Sequence, residues 1–146
     1  MPTDPSFSTR VFGQAGKTLN AVLDRQLAGT GLDEPQWVIL TLAVNSGPAL
    51  DRDRFTGQIA EALKISQADA QARINDMIAA KHLQDGGGDG ATVTVTDAAR
   101  QLHGRINGTV SEITQRLWCD LPAEDLDTTG RVLSIITERA NAELAR

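Results

Sequence analysis

Residues 52–100 read RDRFTGQIAEALKISQADAQARINDMIAAKHLQDGGGDGATVTVTDAAR, and the fold is decided there. Asp51 caps a helix whose inward residues are Phe55, Ile59, Ala60 and Leu63, spaced by threes and fours as one helix face requires. The turn Lys64-Ile65-Ser66 separates it from a second helix with Ala70, Ile74, Met77 and Ile78 on its inner face. Ser66 caps that helix and Asp69 sits at the capping-box position, a shorter acid than the usual Glu. So short a link forces the two helices to cross steeply. Leu83 then begins a strand, Gly86-Gly87-Gly88 and Gly90 supply a flexible turn, and Thr92-Val93-Thr94-Val95 alternates as the returning strand. Thr96 caps the helix that follows. A helix-turn-helix followed by a β-wing is an arrangement that offers its second helix to a DNA groove.

The flanks are helical. Phe7, Val11, Phe12, Ala15, Leu19, Val22, Leu23 and Leu27 mark one face of a helix over residues 6–28, which Thr30-Gly31 ends. Asp33 is an N-cap, with Glu34 and Pro35 in the first turn, where an acid suits the helix dipole and proline costs nothing. Trp37 to Val44 is almost wholly apolar and predicts a helix buried on most sides, broken at Asn45-Ser46-Gly47-Pro48. After Thr96 the stripe Leu102, Ile106, Val110, Ile113, Leu117 predicts one long helix. Pro122 opens a last one, striped by Leu126, Val132, Leu133, Ile136, Ala140 and Leu144. The expected fold is mainly α: a winged helix-turn-helix with six helices and a small β-hairpin wing. The striped terminal helices need partners and form the expected dimer interface.

Composition narrows the class. A chain of 146 residues is one domain by the usual prior, and 40% apolar content suits a soluble globular protein. With three Phe, two Trp and no Tyr, aliphatic side chains must fill the core. The net charge of −5 excludes a generally cationic nucleic-acid binder. One cysteine, Cys119, makes no internal disulfide and fits a reducing, cytoplasmic setting. The start MPTDPSF carries neither the basic nor the apolar part of a signal peptide, and no run reaches the ~18 apolar residues of a membrane span.

Two segments sharpen the reading. Gly31, Leu32, Gln36 and Trp37 open the second helix, and Val93, Val95, Thr96, Asp97, Ala98 and Arg100 form a strand-to-helix step, with Ala99 where a glycine is common. With the order of elements, these resemble the multiple-antibiotic-resistance regulator (MarR) family over nearly the whole chain. The resemblance implies a homodimer whose first, fifth and sixth helices intertwine. It implies two recognition helices in successive major grooves of a pseudo-palindromic double-stranded DNA site. It also implies a cleft for a small, often aromatic, effector between dimer helices and reader. The implied layout is a single MarR-like domain, 1–146, with dimerisation helices at about 6–29 and 97–146 and the winged helix-turn-helix at about 47–96.

The chain departs from that family in charge. Its wing tip, Gln84-Asp85-Gly86-Gly87-Gly88-Asp89-Gly90, has no Arg or Lys where family members carry arginines. From Gly47 to Arg105 there are seven cations (Arg52, Arg54, Lys64, Arg73, Lys81, Arg100, Arg105) against eight acids, a net −1. Phosphate neutralisation supplies most non-specific DNA affinity. Asp85 and Asp89 near phosphates repel by ~1 kcal/mol each in a water-like dielectric, so weak, strongly site-dependent DNA binding is expected.

The expected DNA-facing residues are Ser66, Gln67, Ala68, Asp69, Gln71, Ala72 and Arg73, with Arg52, Arg54 and Lys64 as phosphate contacts. Gln67 and Gln71 are the base readers, because a Gln amide bonds adenine N6 and N7 together. The alternative for each is a solvated helix face, and for Arg73 a pairing with Asp69 or Asp76. Phe12, Trp37 and Leu40 are the candidates to line the effector cleft, against plain core packing. His82 and His103 lack the Cys cluster of a metal site and are expected on the surface or at caps. Cys119 is expected to be a buried inert thiol.

Three near-motifs fail their context. Gly13 to Thr18 mimics the end of a phosphate loop, but Val11 stands where its first glycine belongs and no strand precedes it. Asp85 to Thr96 lacks the ligands of a calcium loop, and Asn107-Gly108-Thr109 is a glycosylation triplet within a helix. No catalytic grouping is readable, so no enzyme chemistry, metal or cofactor is expected. The expectation is a ligand-responsive repressor. The alternative is a winged-helix dimer with reduced DNA binding that acts as a ligand-binding or protein-interaction module.

Overall fold

Side-chain caps fix where five helices begin. Ser8, Asp33, Asp51 and Ser66 accept hydrogen bonds from the amides of Val11, Gln36, Arg54 and Asp69 at 2.9–3.2 Å, and Thr96 from Ala99 at 3.2 Å. The computed structural model describes residues 6–88 and 90–146; the wing-tip acid Asp89 and residues 1–5 lie outside the described residues. The caps open α1 (Thr9–Leu27), α2 (Glu34–Asn45), α3 (Arg52–Leu63), α4 (Gln67–Ala79) and α5 (Asp97–Trp118). A sixth helix, α6 (Ala123–Leu144), starts after Pro122 with no side-chain cap. At α2 the Gln36 side chain accepts from the Asp33 amide at 2.9 Å and closes a full capping box.

Three strands, rather than the hairpin alone, form the wing's base. β1 (Leu50–Asp51), β2 (Leu83–Asp85) and β3 (Thr92–Val95) make an antiparallel sheet in the order β1-β3-β2. Leu50 pairs with Val93, and Leu83 with Val95. β1 escaped the sequence reading because two residues cannot display a period, and because Asp51 is also the cap of α3. In the wing turn, a Cβ on Gly86 would lie 2.8 Å from Thr92 Oγ1, so glycine is needed where the strands part.

The chain divides into two compact units, Met1–Val110 and Ser111–Arg146. The first holds the core. Ile39 and Leu40 of α2, Phe55 and Ile59 of α3, Ile74 and Met77 of α4, and Leu83 and Val93 of the sheet are essentially inaccessible. Each such side chain contributes ~1.5–3 kcal/mol by leaving water. Phe7, Val11, Phe12 and Leu19 on or before α1 are exposed. The second unit contains the end of α5 and α6. No α6 residue is buried, and Val132, Ile135, Ile136 and Leu144 are exposed. Among the described residues, no helix is long and apolar enough to cross a membrane.

Candidate nucleic-acid interface

The presentation of α4 follows from its sequence. Lys64 takes the left-handed conformation (φ 55°, ψ 47°) at the end of α3, and the Ile65 amide bonds Ala60 O at 3.1 Å, which turns the chain. Ala70, Ile74 and Met77 are then fully buried and fix the helix's rotation. That leaves Gln67, Ala68, Asp69, Gln71 and Ala72 as one exposed strip, with Ser66 exposed at its start and Arg73 half-buried at its edge. The residues expected on the reading face are thus exposed, Arg73 partly so. Gln67 and Gln71 stand one turn apart on one side of the helix.

The three expected phosphate cations and Arg73 divide into two pairs. Arg54 is exposed and lines a small polar pocket of about 410 Å³ with Ser46 and Gln58. Neither Arg54 nor Arg73 makes a side-chain bond to another described residue. Lys64 instead pairs with Glu61 at 2.7 Å, in an exposed ion pair. Arg52 is engaged inside the reader. Its guanidinium donates from Nη2 to Asn75 Oδ1 on α4 and from Nη1 to Asp85 Oδ1 on β2 at 3.4 Å. Its backbone amide donates to Ala91 O at 2.9 Å, and its carbonyl accepts from Thr56 Oγ1 at 2.7 Å. Asp85, expected to repel nearby phosphates, is partnered by Arg52.

A groove of about 580 Å³ opens between the end of α1 and α5. Gln26, Thr30, Leu102, Arg105, Ile106 and Thr109 line it, an apolar floor beside one guanidinium. Phe12, Trp37 and Leu40, the residues expected to line an effector cleft, are not among those lining this groove. Leu40 is wholly buried in the core, Trp37 is buried beneath α5, and Phe12 is exposed on α1. Sequence reasoning passed over the groove because Leu102 and Ile106 read simply as the core stripe of α5.

Two side chains depart from expectation. His103 is buried rather than superficial: its ring stacks on Trp37 at 4.7 Å and 16°, and its Nε2 is hydrogen-bonded to Thr41 Oγ1 at 3.1 Å. Burial, and secondarily the Arg100 guanidinium, hold its pKa below the usual 6.5. Cys119 is exposed rather than buried, because it follows α5 in a turn with no core residue around it. Among the described residues no group of three His, Cys, Asp or Glu is arranged to hold a metal ion.

The capped helix pair, the exposed strip of α4 and the three-stranded wing together define a winged helix-turn-helix of the MarR type. No protein-family model matches the sequence, and no curated protein is similar to it in sequence. The structure is similar to AbsC, a MarR family transcriptional regulator from Streptomyces coelicolor, with a TM-score of 0.74 at 18% identity, over 96% of this chain and 99% of that one. It is similar to Sco3205, a MarR family regulator from the same organism solved in complex with DNA (TM-score 0.71, 18% identity, 94% and 92% covered). It is also similar to CouR from Rhodococcus jostii RHA1 bound to p-coumaroyl-CoA (TM-score 0.73, 13% identity, 87% and 89% covered). At these identities the likeness is one of fold.

Proposed function

We propose that this protein is a homodimeric transcriptional regulator that reads a pseudo-palindromic DNA site with α4 and releases it when a small ligand binds. The observation that carries this reading is the α4 strip. Three fully buried anchors hold the helix while Gln67 and Gln71 face outward on its exposed side. A solved neighbour with this fold is a DNA complex. Two such helices in a dimer address half-sites one helical turn apart, ~34–36 Å. The exposed apolar residues of α1 and α6 supply the dimer surface. The groove beside α5 offers Leu102 and Ile106 to an apolar body and Arg105 to an anionic group. A neighbour bound to p-coumaroyl-CoA is consistent with an aromatic effector. An effector acts here only through its different affinity for the DNA-competent and incompetent arrangements of the dimer. Repression in the cytoplasm completes the proposal.

A second reading, a ligand-binding or protein-interaction module with reduced DNA binding, is favoured by the charge: the reader is near neutral and two of its three expected phosphate cations are paired. Selection of bound fragments from genomic DNA by the purified protein separates the two. Recovery of a palindromic site, lost when Gln67 and Gln71 are replaced by Ala, supports the regulator. Each glutamine accounts for about 1–3 kcal/mol of discrimination against the wrong base. Recovery of no site at about 50 mM salt, where phosphate contacts are strongest, supports the module.

A further inference from the structure

We infer that Arg52 is a positioning residue that joins the recognition helix to the wing, so that α4 and the β2–β3 hairpin are held as one reading body. Arg52 stands in the first turn of α3, yet its guanidinium reaches both neighbours of that helix. One nitrogen donates to Asn75, on α4, and the other to Asp85, the last residue of β2. The planar fork of arginine makes two directed bonds at once, which a lysine ammonium on a flexible stem does not. The side chain is mostly covered, 22% exposed, while Asp85 is half-exposed, so the link closes over the base of the wing rather than hanging in solvent.

The backbone of the same residue reinforces the join. The Arg52 amide donates to Ala91 O, just before β3, and the Gly86 amide donates to Thr92 O at 3.0 Å to close the turn beyond Asp85. The segment beyond that point, 86–91, is rich in glycine and has no apolar residue larger than Ala91. Arg52 is therefore the polar fastener of a hairpin whose buried anchors, Leu83, Val93 and Val95, all lie at its base. Its charge is already offset by Asp85, and that carboxylate would face the same phosphates. On the DNA-reading function proposed above, the cation is committed to geometry and the wing angle is set before DNA arrives.

Amide hydrogen exchange on the full-length protein tests the fastening without DNA. Arg52→Met removes the donors and keeps the stem. It should speed exchange of the wing amides, Gly86 foremost, by about two- to fivefold, the range expected for a partly exposed pair. The α3 and α4 core amides of Ile59 and Ile74 should be unchanged. Asp85→Asn should act in the same direction, and the double variant should go no further than Arg52→Met alone. Arg52→Lys should recover only part of the protection. Unchanged wing exchange in Arg52→Met overturns the inference, and so does equal acceleration of the core amides, which would mark a merely stabilising residue. A DNA titration adds a second arm. Arg52→Met should leave the salt slope unaltered and lower the preference for the selected site over random duplex. A slope flattened by about one unit per protomer would make Arg52 a phosphate contact and overturn the inference. If no duplex is bound at all, the regulator reading fails while the exchange result still decides the role of Arg52.

Discussion

The salt dependence of DNA binding is where the charge arrangement of the reader becomes measurable. Four cations of the reader bear on phosphate: Arg52, Arg54 and Lys64 as the expected contacts, and Arg73 as a DNA-facing cation that could reach phosphate or base. Arg52 is bonded to Asp85 and Asn75, and Lys64 to Glu61. A cation that drops a carboxylate to take a phosphate brings the freed negative charge to the same place, so its net release of counterions is small. Arg54 and Arg73 remain, which gives four phosphate contacts in the proposed dimer. At ~0.9 per contact the slope of log affinity against log salt is about −3.6, so raising salt from about 50 to about 200 mM weakens binding about 150-fold. Were all four cations per protomer engaged, the slope would be about −7.2 and the loss about 20,000-fold over the same range. Fluorescence anisotropy of a labelled duplex, taken from the genomic selection and titrated across that range, reads the slope directly. Arg54→Gln, a change at an exposed helix position, should flatten it by about 2 without changing the unfolding temperature. A parent slope near −7, or an Arg54→Gln slope equal to the parent's, would refute the charge accounting.

His103 is held neutral by burial against Trp37 and Thr41 and by the Arg100 field, so its folded pKa lies below the unfolded 6.5. The unfolded chain then binds the extra proton first as pH falls. The contribution of neutral His103 is fully present above 6.5 and is lost progressively as pH drops from there toward the folded value. Thermal unfolding followed from about pH 7.5 to about pH 5.5 should show a fall that His103→Phe, which keeps a stacking ring, makes shallower; equal slopes would remove His103 from the account. For the dimer, Ile135→Asp on the exposed face of α6 should shift the mass seen by light scattering from two chains to one, and an unchanged mass would place the subunit interface elsewhere.

The parts of the fold legible in the sequence are those set by neighbours in sequence. Caps at Asp33, Asp51, Ser66 and Thr96, the apolar stripes and the glycine-rich turn all act within one or two helical turns, and each stands where its pattern placed it. What escaped depends on residues brought together from afar. β1 exists only because Leu50 and Asp51 find Val93 and Thr92. His103 meets Thr41 across 62 positions, and nothing around either residue announces it. Arg52 was read as a phosphate contact because a lone arginine in a reader has that as its simplest role. In the structure its side chain bonds Asn75 and Asp85, 23 and 33 positions along the chain. Trp37 and Leu40 were weighed as cleft residues because an apolar helix near a reader looks the same from one strand of sequence whether it lines a cavity or fills a core.

The internal pairing changes what the reader gains from DNA. Affinity for random duplex comes almost wholly from phosphate, whereas discrimination comes from base edges on α4. On the proposed function, halving the available cations lowers the non-specific term and leaves the proposed contacts of Gln67 and Gln71 intact. Because a genome offers about 10⁶–10⁹ competing sites, a regulator is effective through the ratio of the two terms rather than the tighter one alone. Arg52 acts on both sides of that ratio: it withholds one cation per protomer from phosphate, and it fixes the wing to the helix that carries the glutamines. An acidic, near-neutral reader is then compatible with selective DNA binding, provided that α4 meets its site already in the correct orientation. In this chain the buried Ala70, Ile74 and Met77 and the Arg52 link are the features that set that orientation.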